Sequence, residues 1–189
     1  MQYASLKGGR KLRRIDPYRL WHYKGALYLL GHCHLRKDVR TFSIDRISAF
    51  QITDRRFQIP LYFSIEDYFK DAFGIYRGEA EPVSLLFEKP ASQWVRERKW
   101  HTSQRLTPLP AGKVRLELCV AVTPEFLEWV MGFGAQVEVL APQRLRRMVE
   151  NEAWRIAGKY QRGKNRRAVK PRSGAGRKKV ADDAGWKGK

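Results

Sequence analysis

Residues 1–54 alternate apolar and polar side chains in short runs separated by turn residues, and this pattern constrains the fold more than any other feature. Alternation with a period of two is typical of strands with one buried face. Pro17 should bend its strand or place it at a sheet edge, because proline cannot donate to the ladder. Five such strands predict a small closed barrel within residues 1–59. The predicted strands cover residues 2–6, 11–23, 26–34, 39–45 and 47–53.

The rest of the chain alternates strands with helices. Residues 60–81 predict a helical linker, in which Ser64 caps a short helix over residues 65–73 that ends at Gly74. Residues 82–157 follow the order βαββαβ, which is typical of a ferredoxin-like domain, and end in a helix from Pro142 to about Ala157. The apolar stripe of that helix fits core packing and a dimer contact equally well. The sequence therefore predicts an α+β protein with two small domains.

The net charge of +19 is unevenly distributed. Residues 1–60 hold 13 Lys and Arg against 4 Asp and Glu, residues 61–157 hold 13 against 13, and residues 158–189 hold 12 against 2. Two basic blocks around a neutral middle indicate a polyanionic partner, with nucleic acid the first candidate. The alternative is that these charges only keep the chain soluble. Residues 158–189 are predicted to be a disordered basic tail.

Several function classes lack the residues that they require. Cys33 and Cys119 are too few for a disulfide framework or a zinc site, which indicates a reducing cytosol. No signal sequence or membrane span is visible, so a cytoplasmic protein is expected. The chain has no phosphate-cradling glycine loop, nucleophile elbow or paired carboxylates. No enzyme activity, cofactor or metal is therefore expected, and a nuclease that uses one of the four histidines is the less favoured alternative.

The third and fourth predicted strands carry the most informative side chains. Alternation places Tyr28 and His32 on one side of the third strand, and Arg40, Phe42 and Arg46 on one side of the fourth. Aromatic rings stack on bases and arginine binds phosphate, which is the combination that single-stranded nucleic acid requires. The alternative is that Tyr28 and Phe42 fill the barrel.

Three runs of residues resemble the WYL domain: residues 14–20, residues 27–33, and residues 40–47 together with Arg36. Residues 82–157 resemble the WCX extension that follows it in bacterial transcriptional regulators. The resemblance implies an Sm-like, SH3-type barrel that binds single-stranded DNA, RNA or a nucleotide and thereby controls DNA binding. It implies one pocket where rings and cations converge. The residues that it assigns to this pocket are Arg14, Tyr28, His32, Arg36, Arg40, Phe42 and Arg46.

Two departures from the family pattern affect what the resemblance implies. Leu27 stands where the family has the tryptophan of its naming triplet, so the resemblance implies no contact of that ring here. The usual N-terminal winged helix-turn-helix is expected to be missing, because the first residues already match the first barrel strand. The expected function is the ligand-sensing module of a regulator, as a homodimer. The alternative is a standalone accessory protein that binds nucleic acid nonspecifically through its basic tail.

Overall fold

A computed structural model describes residues 1–6 and 8–168, with side chains up to Gln161. Residues Met1–Val149 form one compact unit, and the residues from Glu150 onward form a second. Within the described ranges the chain is a mixed α+β protein with three antiparallel sheets. No helix among these residues is long and apolar enough to cross a membrane.

Two three-stranded sheets make up the N-terminal β-region, residues 1–49. One sheet has the order β2-β1-β6 and the other the order β3-β4-β5. Tyr3 of the first sheet packs with Cys33 and Phe42 of the second in a small buried core, so the two sheets face each other. The strands are β1 (Gln2–Ser5), β2 (Gly9–Leu12), β3 (Ile15–Tyr23), β4 (Ala26–Cys33), β5 (Asp38–Ser43) and β6 (Ile47–Ala49).

The second predicted strand is two strands, because the chain leaves one sheet and joins the other at Arg13. The backbone N–H of Arg13 donates to the carbonyl of Met1 at 2.8 Å, whereas Ile15 already pairs with Cys33. Pro17 lies in the edge strand β3 beside a shift in register, as its lack of a donor predicts. The fifth predicted strand was too long, since β6 ends at Ala49.

The linker packs on the outer face of the β3-β4-β5 sheet. Its helix α1 (Ile65–Phe69) is shorter than predicted, and Ser64 caps it by accepting from the N–H of Asp67 at 3.1 Å. The Phe69 ring meets Trp21 of β3 with centroids 4.7 Å apart, and the Tyr68 hydroxyl donates to the carbonyl of Val39 in β5 at 2.9 Å. The linker therefore covers one face of this sheet.

The C-terminal α+β region, residues 80–149, follows the predicted order of elements. Its four-stranded sheet has the order β10-β7-β9-β8, with every pair antiparallel. Buried Leu85, Leu116 and Phe126 belong to one core that the sheet shares with the helices. The elements are β7 (Ala80–Phe87), α2 (Ala91–Arg96), β8 (Arg105–Pro108), β9 (Val114–Ala121), α3 (Pro124–Met131) and β10 (Val137–Ala141).

The buried carboxylate of Glu125 joins both regions to the linker. It accepts from the backbone N–H of Ile75 at 2.9 Å, and Lys24 Nζ of the β3–β4 hairpin lies 3.9 Å away. Burial and a hydrogen bond to Glu125 raise the pKa of Tyr23, so this phenol remains a donor at neutral pH. A Cβ on Gly74 would collide with the carboxylate, which explains glycine at this position.

Helix α4 (Gln143–Ala168) continues past Ala157, where the sequence predicts its end. Arg, Lys, Gln and Ala are good helix formers, and the glycines of this stretch weaken the helix without ending it. The first eleven residues of the predicted disordered tail are therefore helical, and residues 169–189 lie outside the described ranges. Leu145, Met148 and Val149 pack in the core of the C-terminal α+β region, so this part of the apolar stripe is core.

Candidate functional site

The single pocket of rings and cations that the sequence predicts does not form. Tyr28 of β4 pairs with Ser43 of β5, whereas Phe42 pairs with Leu29. Since directly paired residues share a face, Tyr28 and His32 project from one face of the sheet, and Arg40 and Phe42 project from the other. The prediction was wrong on this point because β4 and β5 pair one position away from the register that it requires.

The three predicted site residues in or after β5, Arg40, Phe42 and Arg46, do not form a common site. Phe42 is 3% exposed and packs edge-on against Tyr3 with centroids 5.1 Å apart, so its ring cannot stack on a base. Arg40 is exposed, and its Nε lies 3.1 Å from the carboxylate of Asp38. Arg46 lies in a 3₁₀ turn after β5, away from that pair. A binding role for Arg40 and Arg46 remains a prediction.

Arg14 and His32 belong to a polar cluster beside β4 instead. Arg14 Nη2 lies 2.6 Å from His34 Nδ1, and His34 Nε2 lies 2.8 Å from Asp16 Oδ1. Arginine can only donate, so His34 accepts at Nδ1 and donates its Nε2 proton to Asp16. His32 Nδ1 lies 3.8 Å from the same carboxylate.

Asp16, His32 and His34 are residue types that bind metals, and their ligand atoms lie within 4.8 Å of one another. A metal would need the lone pair of His34 Nε2, however, and the contact with Arg14 requires a proton there. The geometry therefore fits a chain of hydrogen bonds that fixes the two histidine rings better than it fits a metal site.

Arg36, one of the seven predicted site residues, lines a cavity. It lies in the turn between β4 and β5, where its backbone N–H donates to the carbonyl of Cys33 at 3.0 Å. The cavity has a volume of about 190 Å³, and we call it the Arg13 cleft. Its lining residues are Ser5, Gly8, Lys11, Arg13 and Arg36.

Arg13 is the unusual residue of this cleft, because it is a buried arginine without a carboxylate partner among the described residues. It is 7% exposed, and its Nη1 meets only the sulfur of Cys33, at 3.7 Å. The guanidinium lies 5.7 Å from the centroid of the Tyr3 ring and 6.0 Å from that of Phe42. Within the described part of the chain its Nε has no hydrogen-bond partner. A buried charge left in this state destabilises the fold.

The electrostatics of the Arg13 cleft favour an anion. Three of its five lining residues, Lys11, Arg13 and Arg36, are cationic, and none is acidic. A guanidinium binds phosphate or carboxylate oxygens with two parallel donors, which would satisfy Arg13. The volume of about 190 Å³ is below the roughly 300 Å³ of the smallest whole-ligand pockets. The cleft therefore suits an anionic group of a larger ligand.

Sequence reasoning missed Lys11 and Arg13, although a signal for them exists. Lys11 and Arg13 are two positions apart in an extended segment, so their side chains lie on the same face. Lys11 pairs with Tyr3, and Tyr3 belongs to the buried core, so this face is the one that points toward the core. The burial of Arg13 follows from the change of sheet at this residue, which periodicity does not show.

Comparisons with known families match both halves of the chain. Residues 1–52 match the WYL domain, and residues 79–157 match the WCX domain. The chain is a WYL–WCX protein. All five residues that line the Arg13 cleft lie within the WYL match, so the cleft belongs to the WYL domain of this chain.

The curated relatives of this WYL–WCX protein include one named as a transcriptional regulator. It is 26% identical over 174 residues to the HTH-type transcriptional regulator YobV of Bacillus subtilis, with 78% of this chain and 47% of YobV covered. It is also 26% identical over 167 residues to protein PafC of Mycobacterium tuberculosis, with 84% of this chain and 49% of PafC covered. The chain thus spans about half the length of these relatives.

A solved structure shares the fold of this WYL–WCX protein. It is a crystal structure described as a CRISPR Cas-related protein, and it aligns with a TM-score of 0.54 at 16% identity. The alignment covers 86% of this chain and 47% of that chain. At this identity the likeness concerns the fold alone.

Proposed function

We propose that this WYL–WCX protein is the ligand-sensing part of a transcriptional regulator. Its N-terminal β-region, in our proposal an Sm-like barrel, binds single-stranded nucleic acid or a nucleotide and so controls DNA binding. The C-terminal α+β region, a ferredoxin-like domain in this proposal, holds two copies together as a homodimer. The names of the relatives support a regulatory role, since YobV is an HTH-type transcriptional regulator.

The observation that carries the proposal is the state of Arg13. A buried guanidinium with an unsatisfied Nε and no carboxylate partner among the described residues is costly to the fold. A buried charge of this kind is retained where it binds a ligand, and in this proposal a phosphate oxygen is the missing partner of the guanidinium. Lys11 and Arg36 add attraction for the same anion. Recognition in this proposal is therefore phosphate-centred, and the rings of Tyr28 and Phe42 do not form the binding pocket.

The test measures binding of fluorescein-labelled single-stranded DNA and RNA decamers by fluorescence anisotropy at several salt concentrations. Arg36→Gln removes one cation of the Arg13 cleft, and Arg105→Gln is the matched control, because Arg105 is an exposed arginine of β8 outside the cleft. We expect Arg36→Gln to weaken binding about 10-fold and to reduce the salt slope by about 1. Arg105→Gln should leave both values near those of the wild type. Equal effects of the two variants would contradict the proposal.

The charge of the C-terminus favours a second candidate, a nonspecific nucleic-acid-binding accessory protein. Residues 158–189 hold 12 basic residues against 2 acidic ones. Deletion of residues 169–189 separates the two functions. A sensor retains most of its affinity for the decamers when this segment is deleted, whereas a nonspecific binder loses most of it.

We propose that the histidine cluster orders side chains beside β4 and has no catalytic role. His34 uses one ring nitrogen toward Arg14 and the other toward Asp16, which leaves neither free as a general base. Labelled DNA and RNA should remain intact during prolonged incubation with the protein. Cleavage that disappears in His32→Ala would establish a nuclease instead.

A further inference from the structure

A second cavity, in the C-terminal α+β region, is larger and chemically different from the Arg13 cleft. Its volume of about 550 Å³ lies within the range of roughly 300–1000 Å³ that is typical of small-molecule sites. Three of the six tryptophans of the chain line it, and we call it the tryptophan pocket. Its lining includes Trp94, Trp100, Trp129, Phe133, Arg98 and Gln136, with Lys24 at the β3–β4 hairpin and the carboxylate of Glu128 beside it.

The tryptophan pocket combines a packed aromatic wall with one free ring. Trp129 packs against Trp100 and Phe133, with centroids 5.0 Å and 5.1 Å away. Trp94 packs against no other ring among the described residues and is 56% exposed. An exposed indole beside an aromatic wall provides the surface on which a planar ring stacks.

The polar groups of the pocket are mainly donors. The Arg98 guanidinium lies 4.8 Å from the Trp94 ring centroid and 5.8 Å from that of Trp100, and it forms no ion pair with a described carboxylate. The Gln136 amide oxygen accepts from the N–H of Ala91 at 3.1 Å, so its amide nitrogen remains available as a donor.

The indole nitrogens of the pocket differ in their hydrogen bonding. Trp100 Nε1 donates to the carbonyl of Val95 at 3.1 Å. Trp129 Nε1 is buried without a partner in the described part of the chain, which is an uncommon state for an indole N–H. Lys24 adds a cation, although its Nζ lies 3.9 Å from a carboxylate oxygen of Glu128. Arg98 is therefore the cation of the pocket that is free to bind an anionic group.

We infer that the tryptophan pocket binds a planar aromatic anion about the size of a mononucleotide. The ring stacks on Trp94, and the anionic group lies at Arg98. A ligand that carries both a ring and an anionic group gains the stacking on the indole and the charge-assisted donation from the guanidinium together. This ligand is separate from the one at the Arg13 cleft, so the protein has two sites with different chemistry.

The test uses isothermal titration calorimetry of the full chain with AMP, adenosine, ribose 5-phosphate and indole-3-acetate. AMP has both the ring and the anion, adenosine has only the ring, and ribose 5-phosphate has only the anion. We expect AMP to bind more tightly than adenosine and ribose 5-phosphate, by about 10-fold in each case. Binding of indole-3-acetate as tightly as AMP would assign the pocket to aromatic carboxylates, and weaker binding would assign it to nucleotides; both results support the inference.

Two variants separate the ring contact from the charge contact. Trp94→Ala should weaken AMP and adenosine alike, by about 5- to 150-fold, since it removes the stacking surface. Arg98→Gln should weaken AMP but not adenosine, and so abolish the preference for AMP. The matched controls are Trp154→Ala, which removes a tryptophan that is 68% exposed and outside the pocket, and the exposed Arg105→Gln. Both controls should bind AMP like the wild type.

Three results would overturn the inference. One is the absence of binding for all four probes. Another is AMP binding that Trp94→Ala and Arg98→Gln leave unchanged. The third is a change of oligomeric state in Trp94→Ala, seen by analytical ultracentrifugation with no probe bound, which would assign the pocket to a contact between copies. Arg36→Gln should not change the component of AMP binding that Trp94→Ala weakens, so this test and that of the Arg13 cleft can fail independently.

Discussion

Replacement of Arg13 by methionine should stabilise the fold and abolish nucleic-acid binding. Methionine fills a similar space with an apolar chain, and it removes a buried charge that has no carboxylate partner among the described residues. Replacing buried ionic groups by apolar ones is often neutral, or stabilising by about 1–4 kcal/mol. The loss of two ring contacts at 5.7 Å and 6.0 Å costs about 0.5–1 kcal/mol each.

Taken at the middle of each range, these opposing effects leave a net gain in the free energy of unfolding of about 1 kcal/mol for Arg13→Met. For a chain of this size each kcal/mol raises Tm by about 2–4 °C, so we expect an increase of about 2–4 °C. Differential scanning calorimetry measures Tm, and anisotropy with labelled decamers measures affinity on the same samples. Arg40→Met is the control, with a stability change below about 1 kcal/mol because its ion pair with Asp38 is exposed.

The opposite pattern would refute the reasoning. If Arg13→Met lowers Tm while the affinity for the decamers stays at the wild-type value, Arg13 is a structural residue. The proposed phosphate site would then have no basis in the structure. A gain in stability together with a loss of affinity is the result that only a binding role for the buried charge explains.

Two further predictions concern the packing around these sites. Gly74→Ala should destabilise the protein by about 2–4 kcal/mol in urea unfolding, because the added Cβ displaces the Glu125 carboxylate from its backbone donors. Its control, Gly158→Ala, has open space around the new Cβ and should be neutral or stabilising by up to about 1 kcal/mol, so equal losses would contradict this account. Phe42→Leu should cost about 1–2 kcal/mol in the same assay and leave decamer affinity unchanged, since Phe42 belongs to the core. A clear loss of affinity in a folded Phe42→Leu protein would restore the predicted stacking role.

The order of the elements could be predicted because periodicity is a local property of the chain. The alternation in β7 and β9 and the capping residue Ser64 are readable without tertiary information. Strand pairing is not local. A shift of one position between β4 and β5 exchanges the faces of every residue, and for this reason Phe42 and Tyr28 were assigned to one pocket although they lie on opposite faces.

The candidate sites were less predictable than the fold. Arg36 was predicted on the strength of the family resemblance, and it lines the Arg13 cleft. The burial of Arg13 depends on the point where the chain changes sheets, and the sequence does not mark that point. The tryptophan pocket draws its rings from α2, α3 and the segment between α2 and β8, so its members are far apart in sequence. Only the packing of these segments brings the rings together.

The contacts of Glu125 have a consequence for communication within the molecule. This carboxylate connects the tip of the β3–β4 hairpin to helix α3 and to the backbone after Gly74, so a displacement of Lys24 alters the electrostatic environment of a residue in the other half of the chain. Any ligand that favours one position of the hairpin must change the electrostatic energy at that side chain. Lys24 also lines the tryptophan pocket, so a ligand there would act on the same hairpin. Thermodynamic linkage is reciprocal. The coupling free energy by which the pocket ligand changes binding in the WYL half would then equal the one by which a WYL ligand changes binding in the pocket.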